Sequence, residues 1–120
     1  MIPDLWHWIT LIESEQRALY HVTPARNLRA IMRDGLIPKI GRRARKLQEP
    51  VAGIYLFHSI EAAEDAVTNW LGDEFGETTR LALLAVTLPK DAQTSQGAEF
   101  ETILLTVVPA QNITIVSRSL

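Results

Sequence analysis

The chain contains no cysteine, and that absence removes disulfides, thiol nucleophiles and thiolate metal sites together. Neither GxxxxGK[ST] nor GxGxxG occurs, so no Gly-rich loop is present to cradle a phosphate, and the isolated Gly41 cannot make one. No GxSxG frames a serine, which leaves a hydrolase triad without its elbow. The three histidines, His7, His21 and His58, fall into no HExxH or other ligand spacing, so no metal site is expected. No apolar run approaches membrane-spanning length, and Met1-Ile2-Pro3-Asp4 carries no basic leader region. The expectation is a cytoplasmic protein with no membrane contact.

What is present is ordinary in bulk and uneven in detail. An apolar share of 47% over 120 residues suits one soluble domain, residues 1–120, with a modest core. The net charge of −2 conceals an asymmetry: residues 1–60 hold nine Lys or Arg against five Asp or Glu, and residues 61–120 hold three against nine. A weakly acidic protein can therefore still offer a basic surface to a polyanion. Lys39, Arg42, Arg43, Arg45 and Lys46 concentrate that charge in the aperiodic segment 38–50, which reads as a basic loop. A solvated charge run is the plain reading of this loop, and a seat for RNA, DNA or an acidic protein the functional one.

Periodicity orders the rest. Leu5, Trp8, Ile9 and Ile12 favour a short helix within 3–17. Residues 18–23 read as a strand, after which Thr23-Pro24 suits a helix start and Gly35 a helix end, with Leu28, Ile31 and Met32 on the apolar flank. Residues 53–58 read as a buried strand, and Ser59 as the cap of a helix packed through Ala63, Ala66, Val67, Trp70 and Leu71, with Gly72 and Gly76 breaking the pattern. Asp73, Glu74 and Glu77 then read as a solvated acidic helix end. Strands follow at 81–88, 101–108 and 112–117, with a polar turn over 89–98. Helical segments followed by mainly sheet-forming sequence give a mixed α+β domain rather than βαβ units.

Three polar residues interrupt these apolar strands: His21, Tyr55 and Glu101. Buried singly, each needs a partner. Each also has a bland reading, as a satisfied strand histidine, an amphipathic packing residue and an exposed strand-start carboxylate. Their order and setting add what the individual residues lack. The segments Leu19-Tyr20-His21-Val22-Thr23-Pro24, Asn27-Leu28-Arg29-Ala30-Ile31-Met32-Arg33-Asp34-Gly35-Leu36-Ile37-Pro38 and Gly53-Ile54-Tyr55-Leu56-Phe57, followed by Ala62-Ala63 and the late Glu99-Phe100-Glu101, resemble the ADP-ribosyltransferase superfamily in its His-Tyr-Glu branch, over about residues 19–117.

That resemblance implies a compact ADP-ribosyltransferase-like fold with a split antiparallel β-sheet flanked by short helices, NAD as cofactor, and a macromolecular acceptor, protein or nucleic acid. It implies that His21 hydrogen-bonds an NAD ribose, with Thr23 assisting, that Tyr55 stacks on nicotinamide, and that Glu101 stabilises the positive charge developing as nicotinamide departs. Arg26 is implied at the pyrophosphate, with a solvated helix arginine as the alternative. Glu99 is implied either to orient the acceptor or to replace Glu101 as the active carboxylate, and Arg42 and Arg43 of the basic loop are expected to contact the acceptor. The early segments are also similar to RNA 2′-phosphotransferases, whose second histidine position is occupied here by Tyr55. A catalytically inactive domain of the same fold that binds protein or nucleic acid is the remaining alternative.

Overall fold

A computed structural model of the chain describes residues 18–39, 53–76, 78–96 and 101–120. The expected helix within 3–17 and most of the basic loop, including Arg42 and Arg43, lie outside the described residues, as does Glu99. The described elements make a mixed α+β fold, a six-stranded antiparallel sheet with helices on both faces. The strands are β1 (Ala18–Pro24), β2 (Ile54–Phe57), β3 (Leu81–Thr87), β4 (Thr94–Gln96), β5 (Glu101–Leu104) and β6 (Ile113–Ser117), in the order β4-β5-β2-β1-β3-β6.

The sheet is split at its centre. β1 pairs with β3 along its whole length, from Ala18↔Thr87 to Pro24↔Leu81, and all four residues of β2 pair with β5. Between β1 and β2 the ladder holds at Tyr20↔Phe57 alone. Two well-zipped half-sheets therefore meet at one register pair and part beyond it.

Strand alternation sends successive side chains to opposite faces, and each face acquires its own core. Leu19, Leu56, Leu84, Val86 and Leu104 form one, covered by α1 (Leu28–Asp34) through Leu28 and Ile31. Val22, Phe57 and Leu83 form the other, covered by α2 (Ile60–Ala66) through Ala63 and Ala66. Phe57 meets Trp70 with ring centroids 6.3 Å apart at 58°, a tilted contact that aromatic quadrupoles favour. The Ser59 hydroxyl caps α2 by accepting from the Ala62 N–H at 3.0 Å, as its sequence position predicts.

Four local expectations are corrected. Pro24 ends β1 instead of starting a helix; a 3-10 turn, Ala25–Asn27, precedes α1, and the Thr23 hydroxyl accepts from Asn27 Nδ2 at 3.3 Å. The segment expected as a polar turn contains β4, which pairs with β5. β5 stops at Leu104, since Val108 turns to exchange two 2.9 Å backbone hydrogen bonds with Leu36 below α1. Gly72 does not break the second helix. The helix passes from α2 through a π turn (Val67–Leu71) into α3 (Gly72–Phe75) and ends at Gly76, where φ is +88°.

The π turn has local causes. Thr68 donates its hydroxyl to the Glu64 carbonyl at 3.0 Å, so a side chain competes for that backbone acceptor. Gly72 donates to Val67 five residues back, and a Cβ at Gly72 would stand 2.6 Å from that carbonyl oxygen. The extra residue rotates the following turn relative to α2, and π turns of this kind recur at functional sites.

Candidate functional site

The split in the sheet opens a cleft of about 470 Å³, a size usual for small-molecule sites. Its walls come from β1 and the following turn (His21, Thr23, Arg26, Asn27), from α1 and its exit (Ile31, Asp34, Lys39), from β2 (Ile54, Tyr55, Phe57) and from the helix beyond the π turn (Leu71, Glu74, Phe75). Each wall follows from an element already placed: β1 and β2 diverge, α1 and the second helix cap opposite faces, and the gap between them stays open.

His21 pairs with Leu84, on the α1 face, whereas Tyr55 lies two residues before Phe57, on the α2 face. In a continuous ladder the sheet would separate them. Because pairing stops after Tyr20↔Phe57, the His21 ring reaches across, and its Nδ1 lies 3.0 Å from the Tyr55 carbonyl oxygen. A carbonyl only accepts, so Nδ1 carries the hydrogen and, in the neutral ring, Nε2 is left as an acceptor. Burial lowers the His21 pKa below its ordinary 6.5; the bond to Tyr55 opposes this and the Lys39 charge adds to it.

The sign of the linked stability follows. The unfolded chain binds a proton at His21 below about pH 6.5, while the folded ring resists protonation until lower pH. The His21 contribution is therefore complete above that value and is lost as the pH falls through it towards the folded pKa. We expect the urea midpoint to fall between pH 7.5 and 5.5, and the fall to shrink in a His21→Asn chain. An equal fall in both chains would assign the acid sensitivity to other groups.

Thr23 is buried at 4% exposure and lines the cleft, Arg26 is exposed at its rim, and Tyr55 presents a half-buried ring whose hydroxyl oxygen is buried. Thus His21, Thr23, Arg26 and Tyr55 come together. Glu101 is also buried, at 4% exposure, but it is not on the cleft wall. It opens β5 opposite Phe57, which does line the cleft, and it shares a face with Tyr55 at the diagonal spacing of roughly 7–8 Å.

No protein-family model and no curated protein matches this sequence. The site is thus read from its own chemistry. Sequence reasoning passed over several wall residues. Glu74, expected on a solvated helix end, is half-buried on the cleft wall, because the π turn rotates it there with Leu71 and Phe75. Asp34 also lines the cleft and is held ionised by Arg33, whose guanidinium hydrogen-bonds it at 2.8 Å and keeps its carboxyl below the usual value. Nothing in the local sequence at 67–71 announces a π turn. Lys39 was legible only as the first residue of a basic loop.

Elsewhere, His58 Nε2 and the Thr102 hydroxyl are hydrogen-bonded at 2.9 Å, which ties the end of β2 to β5 one residue beyond Glu101. Among the described residues no group of three or more His, Asp or Glu side chains is placed to hold a metal ion, and no helix is long and apolar enough to cross a membrane.

Proposed function

We propose that the protein is an NAD-dependent mono-ADP-ribosyltransferase acting in the cytoplasm on a macromolecular acceptor, protein or nucleic acid, with release of nicotinamide. The observation that carries this reading is the bridge across the split sheet: His21 donates Nδ1–H to the Tyr55 carbonyl inside a cleft that both residues line. The donor set fits the cofactor. His21 keeps Nε2 as an acceptor for a ribose hydroxyl, Arg26 and Lys39 supply positive charge for a pyrophosphate, and Tyr55 offers a ring face for nicotinamide.

NAD supplies the activated ribose carbon whose bond to nicotinamide breaks and whose new bond forms to the acceptor. The residues of the chain orient and stabilise. His21, neutral through burial and held by Tyr55, orients without adding a like charge to a developing cation. The carboxylate of Glu101 is assigned to that cation's field, from the same sheet face as Tyr55. The apolar residues Leu71 and Phe75 keep water from part of the wall.

The test uses labelled NAD with panels of protein and nucleic-acid acceptors. Glu101→Gln is expected to melt with the parent chain and to lose about 10²–10³-fold in nicotinamide release. An inactive Glu99→Gln beside an active Glu101→Gln transfers the role to Glu99. Loss of phosphate from a 2′-phosphorylated RNA, without gain of ADP-ribose, replaces the reading by phosphotransfer. One observation favours a second reading, an inactive binding domain: Glu101 lies off the cleft wall. Absence of turnover by the parent chain on every acceptor decides for it.

A further inference from the structure

Beside the cleft lies a second hollow, lined by Ala25, Arg26, Thr78, Thr79 and Arg80. Arg26 lines both cavities and is the wall between them. The two arginines are held together by the backbone: the Ala25 N–H donates to the Arg80 carbonyl at 2.8 Å, next to Arg26. The Arg80 segment is fixed in turn, since Thr79 donates its hydroxyl to the Phe75 carbonyl at 2.6 Å and its N–H to Gly76 at 3.2 Å. Both guanidinium side chains are exposed, and among the described residues neither has a carboxylate within ion-pair distance.

We propose that this hollow is a phosphate subsite that seats the phosphodiester backbone of a single-stranded nucleic acid presented to the cleft. Its role as an acceptor subsite rests on the transferase reading. Two arginines and Thr78 line this one hollow, and guanidinium forks with a hydroxyl are donors that match phosphate oxygens. Among the described residues the lining is polar and carries no aromatic ring or large apolar side chain, which suits contact with a backbone and not the reading of a base or a peptide side chain.

The test is binding of a fluorescein-labelled single-stranded ten-mer to the full chain without NAD, followed by anisotropy between 50 and 200 mM salt. Each lost phosphate contact lowers the slope of log affinity against log salt by about 0.7, which corresponds to roughly eightfold in affinity at 50 mM salt. Arg80→Ala is expected to show both changes. Lys90→Ala removes the same charge beyond the far end of β3, roughly 23 Å away along seven strand residues, and is expected to show neither. An unchanged slope in Arg80→Ala, or an equal change in Lys90→Ala, overturns the subsite. So does a raised KM for NAD in Arg80→Ala with the slope intact, which gives the hollow to the cofactor's own phosphates. Displacement of the ten-mer by polyglutamate at matched charge as effectively as by unlabelled ten-mer gives it to an acidic protein. Because the slope is read without turnover, absence of nicotinamide release would remove the transferase reading and leave the subsite result standing.

Discussion

His21→Asn is expected to keep the parent melting temperature within a few degrees and to lose on the order of 100-fold in nicotinamide release. The asparagine amide nitrogen can occupy the place of Nδ1 and donate to the Tyr55 carbonyl, so the bridge across the split is preserved. It offers no acceptor at the place of Nε2, which is the atom assigned to orient the ribose. His21→Ala removes both. There the Tyr55 carbonyl loses its donor, at a cost of about 1–3 kcal/mol, and activity and stability should fall together. The pair of variants separates the two jobs of one ring. Retention of full activity by His21→Asn would show that only the bridge matters and would remove His21 from the cofactor.

Gly35→Ala carries the largest expected effect on stability. Gly35 ends α1 at φ +85° and ψ −175°, a region that is essentially closed to other residues and costs about 1–3 kcal/mol to impose on one. A Cβ there would also collide with the Val108 carbonyl oxygen. That carbonyl accepts from the Leu36 N–H at 2.9 Å, and Val108 N–H returns the bond, so relieving the collision disrupts the link between α1 and the exit of β5. Leu36 and Val108 both belong to the core beneath α1. We expect a loss of about 3 kcal/mol or more, and a melting temperature lower by roughly 10 °C. A shift of only two or three degrees would mean that the α1 exit relaxes without cost.

Much of this architecture was legible in the chain. The five strands read from their apolar segments fall within a residue or two of β1, β2, β3, β6 and the start of β5, because a sheet with a core on each face selects apolar residues at successive positions. Ser59 was legible as a cap because its bond to Ala62 is local. β4 was not, since Thr94-Ser95-Gln96 is polar and becomes a strand only through its pairing with β5. The early end of β5 was hidden for a related reason: Leu105 to Val108 continue the apolar pattern, and the competing partner at Leu36 lies far away in sequence.

The candidate site divides in the same way. The sequence by itself determined that thiol and P-loop chemistry are excluded, that His21, Tyr55 and Glu101 stand in apolar strands, and which residues could serve a cleft if one existed. Only the tertiary structure decided that His21 and Tyr55 meet. Alternation places them on opposite faces, and what joins them is the failure of the β1–β2 ladder beyond Tyr20↔Phe57, a property of two half-sheets twisting apart that no local pattern encodes. The structure likewise brought Glu74 to the wall through a π turn and set Arg80 beside Arg26 through a backbone bond between segments more than fifty residues apart. Residue chemistry is written along the chain; which groups share a cleft depends on pairing energies summed over partners that are distant in it.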